Sequence, residues 1–170
     1  EPAKGEYKHM FGHRRYVQVY GTNAAQSELL RINPFTFPST IHVLEHVDRF
    51  IEILNVCWPM YAAMPAMLKE AMLEAYESCG WDLTSSTNAR PIYPNFHDLL
   101  EALERVVEQS GFSEEVKSNY RCSLGTRVRS LTNGLNHQLF SGEELSPEQL
   151  FERNVIIDLS RVGSAEMKSL

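Results

Sequence analysis

The sequence predicts an α/β fold that is predominantly helical, in which a parallel sheet of two or three strands is interrupted by a four-helix insertion. Three observations predict it. The stretch YVQVY at Tyr16–Tyr20 is rich in β-branched and aromatic residues and closes on the turn residues Gly21-Thr22-Asn23. Residues 40–132 hold four segments whose apolar positions recur at helical spacing. The run NVIIDL at Asn154–Leu159 is apolar without alternation, the pattern of a strand buried on both faces of a parallel sheet.

Residues 1–39 therefore read as core strands and loops, 40–134 as a helical insertion, and 135–170 as the return to the core. Leu29–Ile32 is a second short strand, followed by a loop, NPFTFPS, that two prolines break. Thr40–Cys57 puts Val43, Leu44, Val47, Phe50, Ile51, Leu54 and Trp58 on one stripe, and Pro59 ends that helix. Pro65 fits the first turn of the next, which runs along Leu68, Met72 and Ala75 to Cys79, with Gly80 as its stop. Asn95 caps a third helix, with Asp98 three residues on, and Gly111 ends it. Ser113 caps a fourth, which carries Glu114 and Glu115 where the helix dipole favours anions and runs to about Thr132. Ser146-Pro147-Glu148-Gln149 is a capping box for a short helix ahead of the strand at 154–159, and a further helix starts at 164–170.

Three strands make a poor parallel core by themselves. The chain opens on Glu1-Pro2 without an initiator Met and stops at Leu170 inside a predicted helix, so it is expected to be a fragment of something longer. Its 170 residues with 43% hydrophobic and 22% charged content are ordinary for a soluble domain. A net charge of −6 argues against a nucleic-acid surface spread over the whole piece and leaves room only for a local basic patch. Cys57, Cys79 and Cys122 are odd in number and lack metal spacing, which reads as free thiols in a reducing cytoplasm. No apolar run is long enough to span a membrane, and no signal peptide is visible.

Two chemistries compete for the polar residues. His42, Glu45 and His46 spell H-x-x-E-H, an inverted zinc-peptidase signature in which two imidazoles share a helix face and a third ligand, here Glu114 or Glu115, completes the site with Glu45 as base. Against it, Arg49 follows His46 on the same face, where its guanidinium repels a dication, and Glu45, Asp48, Arg49 and Glu52 read as a solvated, salt-bridged surface. The preferred reading has no metal site. For nucleotides, the phosphate-cradling loop G-x-x-x-x-G-K-[ST] is absent, since none of the five lysines follows a glycine. Asp158 ends its strand where α/β sheets bind ligands, but Leu159 follows it in place of a second acid. Arg127, on the fourth helix with Arg121 and Arg129, is a candidate to stabilise a phosphoryl transition state across a subunit boundary. Ser160 lacks the G-x-S-x-G of a nucleophile elbow.

Four stretches taken together, EPAKGEYK at Glu1–Lys8, RINPF at Arg31–Phe35, CWPMYAAMPAMLKEAMLEAYESCGWDL at Cys57–Leu83, and TRVRSLTNGL running into NVIIDLSRVGSAEMKSL, resemble the central ATPase domain of HerA-type proteins in the HerA–FtsK translocase superfamily. The resemblance implies an incomplete RecA-like parallel sheet from an ATP- and Mg-dependent motor that assembles as a homo-oligomeric ring on double-stranded DNA, with a nuclease or effector as a further partner. It implies that Glu1 ends a core strand, that Glu6 and Tyr7 lie near the nucleotide edge, and that Asp158 is a core-strand acid ahead of the Walker B strand; with the Arg127 reading above, Glu6, Arg127 and Asp158 are the catalytic candidates. It also implies that the P-loop and the Walker B acids lie outside residues 1–170, so the chain alone carries no cofactor, needs the rest of the ATPase domain as partner, and is inactive by itself. A non-enzymatic adaptor that docks through Trp58–Met64 is the remaining alternative.

Overall fold

The computed structural model describes residues 5–90, 92–140 and 144–162. The fold is mixed α/β and mostly helical, with a three-stranded parallel sheet. Two compact units divide the chain: Glu1–Asn33 with Gly134–Leu170, and Pro34–Asn133.

The first unit is built on the sheet. Helix α1 (Glu6–Phe11) leads into β1 (Val17–Gly21), which pairs in parallel with β2 (Glu28–Leu29) on one side and β3 (Asn154–Asp158) on the other. The β1–β3 register runs from Val17 opposite Asn154 to Gly21 opposite Asp158, so both strands end at the same level. The sequence places a central-type strand at 154–159; in the structure β1 is central, while β3 is an edge strand that runs from exposed Asn154 through half-buried Val155–Ile157 to buried Asp158. The second strand is shorter than its apolar run suggests. After Leu29 the chain leaves the sheet, with the Ile32 amide donating to the Leu139 carbonyl and the Leu145 amide to Arg31. Helix α1 was not expected from the pattern: six residues are too few to show a helical period, and none of them is buried.

The second unit is helical. It comprises α2 (Val43–Cys57), α3 (Met64–Ser78), α4 (Phe96–Gln109), and a helical path made of α5 (Glu114–Tyr120), a π-helical turn (Arg121–Gly125) and α6 (Thr126–Leu131). Helix α3 packs between α2 and α4, and α4 packs in turn on the π turn and α6. The core is aromatic at its centre. Phe35 lies edge-on to Phe50 and to Phe96, with centroids 5.2 Å apart in each case. Leu54, Leu68, Met72, Leu99, Leu103 and Val107 surround them with almost no exposure. The capping box at Asn95 forms as the sequence predicts, with the Asn95 side chain accepting from the Asp98 amide and the Asp98 carboxylate accepting from the Asn95 amide. Two details differ. Leu44 is exposed although it sits on the predicted stripe of α2. The fourth helix, expected to run unbroken, widens at Arg121–Gly125, and Ser113 sits at its N-cap position without a side-chain cap.

The remaining helices α7 (Gly134–Phe140) and α8 (Pro147–Phe151) belong to the first unit, and α8 starts with the predicted Ser146–Gln149 box. Among the described residues no helix is long and apolar enough to cross a membrane. The helix expected at 164–170 lies outside the described residues.

Candidate functional site

A parallel sheet gathers its strand ends on one side, and the loops leaving those ends build a cleft. Here β1 and β3 stop together at Gly21 and Asp158. The Asp158 side chain is 10% exposed and both of its oxygens are engaged. Oδ1 accepts from the Ser160 hydroxyl at 2.6 Å and from the Ser160 amide at 3.0 Å. Oδ2 accepts from the Lys8 ammonium at 3.3 Å. Burial pushes the Asp158 carboxyl up, but the Ser160 donors and the Lys8 cation outweigh it and hold the group below the ordinary carboxylate range.

Gly5 makes this meeting possible. It precedes α1 with φ +67°, and a Cβ there would stand 3.5 Å from the Ser160 hydroxyl and 3.9 Å from the Asp158 carboxylate. Both are ordinary contact distances, so it is the left-handed φ that calls for glycine, and α1 leaves this turn with Lys8 bonded to Asp158. An open cleft of 420 Å³ lies over this point, lined by Gly5, Lys8, His9, Gln26, Asp158, Ser160 and Arg161. A narrow recess beside it is bordered by Gly21, Thr22, Asn23 and Ser27. With Lys8 and Arg161 against Asp158, the cleft is polar and carries one positive charge more than it carries negative ones. A carboxylate that accepts from three donors and is held ionised is a poor proton acceptor, so Asp158 here fixes the Lys8 ammonium and the turn at Ser160.

The structure keeps Asp158 at the strand end and pairs it with Ser160, which the sequence considered only as a nucleophile, and with Lys8, to which it gave no role. Lys8, not Glu6, reaches it; Glu6 and Tyr7 lie on α1 exposed to solvent, with Tyr7 stacked on Phe11 at 6.3 Å. Arg161 and Gly5 lie in the stretches that carry the resemblance but were given no role there, and the contact of Lys8 with Asp158 spans 150 residues. Arg127 belongs to the other unit, half-buried on α6, where it donates to the Pro59 carbonyl at 3.4 Å. Glu1 lies outside the described residues.

The H-x-x-E-H stretch is not a ligand face. Helix α2 begins at Val43, not at Thr40, so His42 is its N-cap and only His46 lies within it. His42 Nδ1 accepts from the Leu44 amide at 3.2 Å, which places its proton on Nε2, 3.3 Å from the Thr84 carbonyl. His46 Nε2 lies 3.1 Å from the Pro34 carbonyl, its ring stacked on Phe37 with centroids 5.0 Å apart. Burial lowers the His46 pKa, the Pro34 carbonyl opposes that, and Arg49 adds to it. Both imidazoles therefore serve the backbone, Glu45 pairs with Arg49 at 2.5 Å, and Glu114 pairs with Lys117 at 3.1 Å. Among the described residues no three His, Cys, Asp or Glu side chains gather closely enough to hold a metal ion.

The Trp58–Met64 segment joins α2 to α3. Trp58 is half-buried, and Val56 and Tyr61 beside it are exposed. Cys57 is buried and Cys122 exposed, and all three cysteines are free. Comparison with family models, with curated proteins and with solved structures returned no match.

Proposed function

We propose that the chain is a segment of a HerA-like ATP-dependent DNA translocase, which supplies part of a RecA-like parallel sheet and a helical module. The observation that carries the reading is the common end of β1 and β3, where Asp158, Lys8, Ser160 and Arg161 border one polar cleft. Parallel sheets that handle nucleotides bind them at that edge. The sequence resemblance at EPAKGEYK and NVIIDLS falls on the residues that form it.

The fit to a nucleotide is partial. The cleft offers two cations and one carboxylate, but no G-x-x-x-x-G-K-[ST] run of amides to surround phosphates. ATP with Mg would supply the phosphoryl chemistry in the parent protein; this chain's own part is to hold Asp158 ionised and to bring Lys8 and Arg161 to the edge of that site. The helical unit would contact a neighbouring subunit of the ring, a nuclease or an effector, in the cytoplasm.

Calorimetric titration of the chain with Mg·ATP tests the division of labour. No micromolar binding is expected, and micromolar affinity would overturn it. The longer polypeptide tests the family. A P-loop shortly ahead of Glu1 and an apolar strand that ends in two acids beyond Leu170 are expected; flanks without either would remove the basis of the reading.

A further inference from the structure

The opposite edge of the same sheet has a different character. Between Tyr7 and Tyr16 the sequence is YKHMFGHRRY, with three cations, three aromatic rings and no carboxylate, in a chain whose net charge is −6. Its second half, His13–Tyr16, is exposed and leads into β1 at the amino edge of the sheet. The β1–β3 register sets Val17 opposite Asn154, so the residues before them, Tyr16 and Arg153, enter the sheet on adjacent strands about 4.8 Å apart. Phe151, at the end of α8, is 83% exposed next to Arg153, and Tyr16 is 61% exposed. Exposed Glu152 is the single acid on these two stretches.

The side chains are organised rather than merely close. Arg14 Nη1 donates to the Tyr16 hydroxyl at 2.5 Å, and its guanidinium lies over the Phe11 ring at 5.3 Å and the Tyr16 ring at 5.9 Å. This holds a guanidinium plane and an exposed ring side by side. Neither Arg14 nor Arg15 meets a carboxylate among the described residues. Guanidiniums track phosphates, and exposed rings between them give unpaired bases a face to stack on. A duplex offers the phosphates but hides its base faces; an acidic peptide offers charge but no stacking partner.

We propose that the amino edge of the sheet, through Arg14, Arg15, Tyr16, Phe151 and Arg153, is a binding surface for single-stranded nucleic acid. The proposal does not rest on the ATPase reading, which concerns the carboxyl edge, and it needs no nucleotide.

Fluorescence anisotropy of the 170-residue chain with a labelled oligothymidylate of about a dozen nucleotides tests it. Saturable binding is expected at low salt, with a log–log salt slope of about −2 for three neutralised phosphates. Arg14→Gln, Arg15→Gln and Arg153→Gln together should abolish it, while the matching lysine substitutions should retain most of it. Tyr16→Ala and Phe151→Ala should each weaken binding by roughly fivefold to a hundredfold, the range that loss of one stacked base implies. A duplex of equal length should bind more weakly than the single strand. Circular dichroism confirms that each variant is folded. The proposal is overturned by absence of saturable binding. It is overturned equally by a duplex binding as tightly with the aromatic variants unaffected, or by polyglutamate displacing the labelled strand as well as unlabelled oligothymidylate does.

Discussion

The Tyr76 hydroxyl of α3 donates to the carbonyl of Phe35, a residue 41 positions earlier in the chain, and both residues are fully buried. With His46 at the Pro34 carbonyl, that bond ties the proline-broken loop of residues 34–39 to the helices of its unit. Burial raises the phenol's pKa far above its usual value, so the hydroxyl keeps its proton through the neutral range. Tyr76→Phe keeps the ring and removes this hydrogen bond. A loss of about 0.5–1.5 kcal/mol is expected, the usual net worth of one buried hydrogen bond. Urea unfolding followed by tryptophan fluorescence checks it, since the Trp81 ring packs on Tyr76 at 6.0 Å.

His46 should make the helical unit acid-sensitive. Its pKa is lowered from 6.5 by burial, with Arg49 adding to the effect and the Pro34 carbonyl opposing it. The unfolded chain therefore binds a proton before the folded one does. The stability from neutral His46 is fully present above pH 6.5 and falls away as pH drops through the lower folded value. Unfolding midpoints recorded from pH 7.5 downward should decline more steeply in the parent chain than in His46→Gln. Parallel curves would contradict the assignment.

Lys8 and Asp158 should be coupled. Both side chains are largely shielded, at 22% and 10% exposure, so the pair is less screened than a surface bridge. A double-mutant cycle with Lys8→Met and Asp158→Asn should give a coupling of about 1–2 kcal/mol. Asp158→Asn alone should cost more than Lys8→Met alone, since it also disturbs the two Ser160 bonds. A cycle that closes to zero would mean that the two residues stabilise the first unit independently.

Ser86 caps α2 from a distance. Its hydroxyl oxygen accepts from the Val43 amide at 2.8 Å, while its own backbone sits at φ +54°. Ser86→Ala loses the acceptor and keeps the unfavourable backbone, at an expected cost of about 1 kcal/mol. Ser86→Gly loses the same acceptor but relieves a left-handed penalty of about 1 kcal/mol, and should be the milder change. Thermal midpoints of the two variants decide the order.

The caps were legible wherever one short motif contained both partners. Asn95–Asp98 and Ser146–Gln149 lie within four residues of each other, and both boxes form. The parallel sheet was legible from the apolar run at β3, although its edge position was not, because an uninterrupted run says nothing about what lies alongside. The cleft was legible only at Asp158. Ser160 meets it through a local turn two residues on, whereas Lys8 arrives across 150 residues by way of Gly5's positive φ, and no local pattern encodes that contact. His42 and His46 misled for the opposite reason. Their spacing is that of a ligand pair, but the imidazoles are used up by the backbone groups at the start of α2 and in the loop before it.

The wide turn at Arg121–Gly125 marks one surplus residue within an otherwise regular path from Glu114 to Leu131. Each residue of an α-helix advances the screw by about 100°. Deleting one position inside that turn would restore ordinary winding and rotate everything after it by that angle, swinging Val128 and Leu131 out of the core. The bulge is thus a phase correction: it lets a segment of fixed length present oil-loving faces to α4 at both of its ends, which a perfectly wound rod with the same spelling could do at only one.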